Sequence, residues 1–156
     1  MNVPRTLKKE KIRELDLRSP LTVESGIPLR EVIQKMQESR RGSVLVQKKG
    51  VLVGLFTERD ALTKVALSFD KLGSAPIDEF MSTQPKTIKL SHSVADAIGI
   101  MAKGGYRRLP IVDDKRVVCG LVSARDMIGY QAEHFPYEVL NLPPDPRLIA
   151  REKEGA

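Results

Sequence analysis

The chain has 156 residues, of which 41% are apolar and 29% charged, and 26 Lys and Arg stand against 20 Asp and Glu for a net charge of +6. This is an ordinary globular composition, long enough to bury a core as one compact domain or as two small subdomains sharing an interior. It excludes a long apolar span, since 18 consecutive apolar residues occur nowhere, and an intramolecular disulfide, since Cys119 is the one cysteine.

The positive start Met1–Lys9 has no apolar stretch behind it, so the expectation is a cytoplasmic protein in a reducing compartment, with no membrane association. Cys119 lies in the apolar run Val117-Val118-Cys119-Gly120 and is expected to be a buried, inert thiol. The positive charge permits anionic partners such as nucleotides, acidic proteins or nucleic acid. With 4% aromatic residues there are few platforms for stacking bases, so nucleic acid is the disfavoured partner.

Residues 1–20 read as a charged leader with room for a helical turn or two around Leu7–Leu15. Residues 21–70 form a first unit. Leu21-Thr22-Val23 is a short strand, and Ser25-Gly26-Ile27-Pro28 turns into a helix whose Leu29, Val32, Ile33 and Met36 share one face. Ser43–Val46 and Val51–Phe56 are strands joined by a hairpin turn at Lys48-Lys49-Gly50. A helix from Thr57 is expected to carry Ala61, Leu62, Val65 and Ala66 inward.

Residues 71–84 are a link with a short helix at Asp78–Met81, and in 85–130 the order strand, helix, strand, strand, helix returns. Thr87-Ile88 replaces Thr22-Val23, and Val94, Ala97, Ile98 and Met101 replace the first helix face at an offset of 65. The offset grows to 66 after Lys103-Gly104-Gly105, where Leu109–Val112 matches Ser43–Val46. Two such units each have an apolar face to cover, so they should pack on one another about a pseudo-twofold axis. From 131 to 156 the chain is a Pro-rich tail, expected to dock through Phe135, Tyr137 and Leu140.

The chemistry concentrates in Thr57-Glu58-Arg59-Asp60 and Ser123-Ala124-Arg125-Asp126, which occupy the same place in the two units. Each sets a hydroxyl before a helix and a carboxylate three positions on. As a capping box alone, that stabilises a helix by about 1 kcal/mol. The same groups suit a nucleotide, because a carboxylate can accept from both hydroxyls of a ribose and a helix start favours phosphate. Arg40-Arg41 and Arg107-Arg108 supply cations just before the central strands. No Cys-His or Ser-His-Asp arrangement, no Gly-x-x-x-x-Gly-Lys phosphate loop and no metal-ligand cluster is present, so no catalytic or metal-binding residue is assigned. His92 reads as a loop or cap residue and His134 as a tail residue.

The doubled order of elements, with Arg107–Asp113, Gly54–Asp60, Gly120–Asp126 and the link Asp78-Glu79-Phe80-Met81-Ser82, resembles the tandem cystathionine-β-synthase (CBS) domain family over about residues 20–130. The resemblance implies a mixed α/β (α+β) fold of two β-α-β-β-α repeats packed sheet to sheet. It also implies up to two clefts for an adenosyl regulator: AMP, ADP, ATP or S-adenosylmethionine. Carried over, cleft one takes Thr57 and Asp60 with Lys86, Thr87, Arg107, Arg108 and Arg125, and Arg41 from the side. Cleft two takes Ser123 and Asp126 with Leu21, Thr22, Arg41 and Arg59, joined by Arg107.

Because Gly42 and Val44 stand where the second repeat has Arg108 and Pro110, cleft one is expected to hold more positive charge and the tighter phosphorylated ligand. The resemblance further implies a regulatory module with no required cofactor, a homodimer formed through the helices starting at Glu58 and Ala124, and an unidentified regulated protein. The alternatives are a ligand-independent interaction scaffold, or a nucleic-acid-binding accessory protein.

Overall fold

The computed structural model describes residues 5–134. A helical turn α1 (Arg5–Lys9) and a 3-10 turn at Ile12–Glu14 precede β1 (Thr22–Glu24), α2 (Leu29–Ser39), β2 (Ser43–Lys48) and β3 (Val51–Thr57). Then α3 (Glu58–Asp60) runs through a π-helical turn (Ala61–Val65) and a 3-10 turn (Ala66–Ser68) into α4 (Phe69–Leu72). A 3-10 turn at Ile77–Glu79 and the short β4 (Ser82–Thr83) lead to α5 (Val94–Gly104), β5 (Arg108–Val112), β6 (Val118–Ser123) and α6 (Ala124–His134). This is the expected mixed α/β plan, repeated.

The helix faces read from periodicity are the faces that pack. Leu29, Val32 and Met36 of α2 are buried against Val44, Val46 and Phe56, while Val94, Ala97 and Met101 of α5 pack with Leu109, Ile111 and Val122. In the first sheet the order is β1-β2-β3-β4, with β1 parallel to β2 and the other pairs antiparallel. The hairpin turn places Lys49 at φ 52° and Gly50 at φ 83°, two left-handed residues whose twist suits the strands they join.

The second sheet has β5 and β6, and the strand expected at Thr87-Ile88 is reduced to a parallel bridge from Ile88 to Ile111. The chain turns away immediately afterwards, where the Lys89 amide donates to His92 Nδ1 and the His92 amide to the Lys89 carbonyl. In both hairpins the register slips. The slip in the second lies between Ile111 and Val112, which pair with Gly120 and Val118 and leave Cys119 between them. That bulge turns the Cys119 thiol outward, so the expected buried cysteine is exposed.

The hairpins meet at the pseudo-twofold axis. Val51 pairs with Val117, its own counterpart in the other repeat, and the flanking hydrogen bonds are reciprocal. The Leu52 amide donates to the Arg116 carbonyl at 2.9 Å, and the Val118 amide to the Gly50 carbonyl at 3.2 Å. Beneath this seam Leu45, Leu52 and Val112 form a shared core with Leu55, Val118 and Leu121.

The segments ahead of the repeats are exchanged. The Ile12 amide donates to the His92 carbonyl and the Val94 amide to the Glu10 carbonyl, so the leader docks on the second repeat. Ile77 to Ile27 and Leu29 to Ala75 are the same bonds on the first repeat, made by the link. Ile12 and Ile77 are both fully buried. The leader therefore belongs to the packed body through Leu7, Ile12 and the half-buried Leu15.

The helix after β3 departs from expectation. Val65 is buried and Ala61 half-buried, but Leu62 is 73% exposed and Ala66 also faces solvent. The π-helical turn widens the spacing beyond that of an α-helix and rotates Leu62 and Ala66 out of the stripe. The expected docking of Phe135, Tyr137 and Leu140 lies outside the described residues.

Candidate ligand-binding cleft

Both aspartates close the capping boxes that their spacing implies. The Thr57 amide and hydroxyl donate to Asp60 Oδ2 at 2.9 and 2.8 Å, and the Asp60 amide donates back to Thr57 Oγ1 at 3.3 Å. Ser123 and Asp126 repeat this at 2.7, 2.6 and 3.3 Å. A third box, Ser93 with Asp96, opens α5 in the same way. A capping box by itself therefore does not mark a ligand site.

What surrounds each carboxylate separates them. Asp60 Oδ1 is 2.8 Å from Lys64 Nζ, which also donates to the Phe80 carbonyl at 2.7 Å. Burial pushes the Asp60 carboxyl up, but the hydrogen bonds from Lys64 and Thr57 and the Lys64 charge outweigh it and hold it below the ordinary carboxylate value. The counterpart of Lys64 in the second repeat is Tyr130, whose hydroxyl donates to the Glu10 carboxylate. Asp126 Oδ1 makes no hydrogen bond or ion pair with the described residues. Asp60 is thus satisfied internally, whereas Asp126 presents an open acceptor.

Asp126 opens onto a cleft of about 1010 Å³. Ser123, Leu21, Arg41 and Arg59, expected there, line it. Arg107, Arg108 and Arg125, assigned with Asp60, line it too. The structure therefore lines the cleft at Asp126 with cations that the resemblance divides between the two clefts. The physical cause is reach. A Cβ on Gly42 would lie 2.9 Å from Arg108 Nη2 and 2.7 Å from Glu58 Oε2, so Arg108 crosses the start of β2 through space that Gly42 leaves open.

The remaining expected residues are not among the lining residues. Thr57 and Asp60 are held in their cap, Lys86 is exposed and Thr87 half-buried ahead of the Ile88 bridge, and Thr22 pairs with Leu45 inside β1. Sequence reasoning assigns no site role to Arg18 and Ser19, which the leader brings to the cleft wall, nor to Glu58, and it offers Arg40 only as one of a pair of cations without placing it in a cleft. The Arg40-Arg41 doublet is a signal for Arg40; nothing near Arg18 marks it.

Both histidines have local structural roles. His92 Nδ1 accepts from the Lys89 amide, and His134 stacks on Tyr130 with ring centroids 4.2 Å apart. Among the described residues no helix is long and apolar enough to cross a membrane.

A duplicated β-α-β-β-α unit, joined at its hairpins with a cationic cleft between the copies, defines a tandem-repeat module. The family model for the CBS domain matches residues 12–67 and 77–133, and the chain belongs to that family. It is 36% identical over 107 residues to the CBS domain-containing protein YhcV of Bacillus subtilis, covering 68% of this chain and 74% of that one. The CBS-domain pair of protein MJ0100, solved in complex with 5′-methylthioadenosine and S-adenosyl-L-methionine, superposes with a TM-score of 0.67 at 25% identity, over 77% of this chain and 98% of that one. Protein PAE2072 of Pyrobaculum aerophilum, complexed with AMP, gives a TM-score of 0.66 at 23% identity, over 74% and 88% of the two chains.

Proposed function

We propose that this protein is a regulatory module, not an enzyme, that binds an adenine nucleotide in the cleft at Asp126 and signals through a change of shape or dimer geometry. One observation carries the reading: Asp126 lines the cleft with its Oδ1 unpaired among the described residues, while its symmetry mate Asp60 is paired with Lys64. A ribose donates two hydroxyls to such an acceptor, and the surrounding arginines suit phosphate. MJ0100 with its adenosyl ligands and PAE2072 with AMP support the ligand class. On this reading Ser123, Asp126, Leu21, Arg41, Arg59, Arg107, Arg108 and Arg125 form one site, and each chain binds one nucleotide.

The partner surface we propose is the face carrying Leu62, Leu67 and Ile128, large apolar side chains left exposed on the helices after β3 and β6. A second copy of the chain is the proposed occupant, in a cytoplasmic homodimer that a further protein reads.

Thermal unfolding with AMP, ADP, ATP and S-adenosylmethionine tests the function, because a ligand of the native state raises stability by RT ln(1 + [L]/Kd). A rise with at least one of them supports the module. No rise at millimolar concentration favours the ligand-independent scaffold, in which all three boxes are only caps. Tight, steeply salt-dependent retention on DNA or RNA would favour the nucleic-acid reading.

A further inference from the structure

The cations of the cleft exceed what duplication explains. Arg41 and Arg107 are repeat counterparts, as are Arg59 and Arg125, and Arg108 enters through the gap at Gly42. Arg108 has the uncharged Gly42 as its counterpart, and Arg18 and Arg40 are one-sided in the same way. At the offset of 65 that relates the repeats ahead of β5, their counterparts are Thr83 and Gly105, both uncharged, so these two charges were added on one side only.

Arg40 also occupies a backbone conformation that favours another residue. It caps α2 at φ 51°, ψ 44°, whereas Gly105 caps α5 at φ 67°. The left-handed region suits glycine, so glycine is the residue that this cap position accepts most readily. The lining holds seven arginines, two carboxylates (Glu58 and Asp126) and no lysine. Arginine keeps its charge at any working pH and offers a planar fork to phosphate oxygens. A volume of about 1010 Å³ is at the upper end for small-molecule sites and exceeds the needs of a nucleoside monophosphate.

We infer that Arg18 and Arg40 form a second anion subsite in this cleft, which makes it selective for nucleotides carrying two or more phosphates. The inference rests on the nucleotide reading proposed above. A monophosphate is matched by Arg41, Arg59, Arg107, Arg108 and Arg125, while a longer phosphate chain has charge left for Arg18 and Arg40. S-adenosylmethionine, which bears a sulfonium cation, is disfavoured among seven arginines.

Calorimetry of the full chain in EDTA tests this, with AMP, ATP and inorganic tripolyphosphate as probes. The variant is Arg18→Thr with Arg40→Gly, which installs what the other repeat carries. Both side chains are exposed and glycine fits the left-handed cap, so the fold is expected to melt no lower than wild type. One charged phosphate contact is worth roughly tenfold in affinity. ATP is expected to bind wild type at least about tenfold more tightly than AMP, and the variant to lose that preference while its AMP affinity stays within about twofold. The subsite is overturned if wild type binds ATP no better than AMP, or if the variant keeps the preference. AMP binding without an ATP advantage leaves the nucleotide reading standing and removes the subsite. Tripolyphosphate binding that the variant loses, with no nucleotide bound, does the reverse. No binding by any probe removes both.

Discussion

Lys64 Nζ lies 2.8 Å from Asp60 Oδ1, one helical turn beyond the carboxylate, and in the second repeat the place of that lysine is taken by Tyr130. A phenol cannot neutralise a carboxylate, and the Tyr130 hydroxyl turns to Glu10 of the leader. One difference between the repeats thus pairs Asp60 within its own helix and leaves Asp126 Oδ1 without a partner among the described residues.

Asp60→Asn therefore acts on stability. It keeps an acceptor oxygen for the Thr57 cap but loses the charge and the Lys64 ion pair, about 1 kcal/mol at pH 7. Because the folded carboxyl sits below its ordinary value, that contribution is present above the unfolded pKa of about 3.9 and disappears as pH falls through the folded one. Urea unfolding at pH 7 and at pH 3 is expected to show a gap between wild type and variant that closes at the lower pH. An unchanged gap would mean that the charge of Asp60 contributes nothing.

Ile12→Ala tests the leader. Ile12 is 0% exposed in the core of the second repeat. Emptying such a site costs about 2–5 kcal/mol, a cost a peripheral tail would not show. Denaturant midpoints at constant m-value measure it.

Gly42→Ala separates the cleft from the fold. The backbone of Gly42 has no left-handed requirement, but the added methyl meets the guanidinium of Arg108 and the carboxylate of Glu58. Both are ends of flexible side chains, so melting is expected within about 3 °C of wild type, a change of no more than about 1 kcal/mol. Nucleotide affinity is expected to fall about five- to tenfold as Arg108 is displaced. Calorimetry beside a thermal melt reads both.

Tyr130→Phe tests the contact between leader and α6 through pH. Burial, then the hydrogen bond and charge of Glu10, push the phenol up to about 12. With the folded value above the unfolded one, the stability it contributes is full below about pH 10 and is lost as pH rises towards 12. Wild type is expected to exceed the variant by about 1 kcal/mol at pH 8, and the advantage to vanish by the alkaline end. An advantage that persists to the top of that range would contradict the contact.

Much of the fold was legible because its signals are periodic. The faces of α2 and α5 follow the helical repeat, and the duplication keeps its phase through Leu29/Val94 and Met36/Met101. The leader was hidden because Lys8, Lys9, Glu10 and Lys11 separate the apolar anchors Leu7 and Ile12. The spacing of Ala61, Leu62, Val65 and Ala66 fits an α-helix, and nothing in it announces a π-helical turn. Cys119 sits in an apolar run, and only the bulge opposite Ile111 and Val112 turns it outward. The arginines and the two capping aspartates were legible as residue types, but which of them line one cleft was not. The room that Gly42 leaves for Arg108 and the pairing of Lys64 with Asp60 are set by side-chain positions that spacing does not give.

Asp126, and not Asp60, is expected to hold the nucleotide. Calorimetry of Asp60→Ala and Asp126→Ala with ATP measures it directly. One site per wild-type chain is expected, with affinity reduced at least about 30-fold in Asp126→Ala, which removes a charged acceptor from the ligand, and within about threefold of wild type in Asp60→Ala. Equal losses in the two variants, or a loss confined to Asp60→Ala, would contradict it.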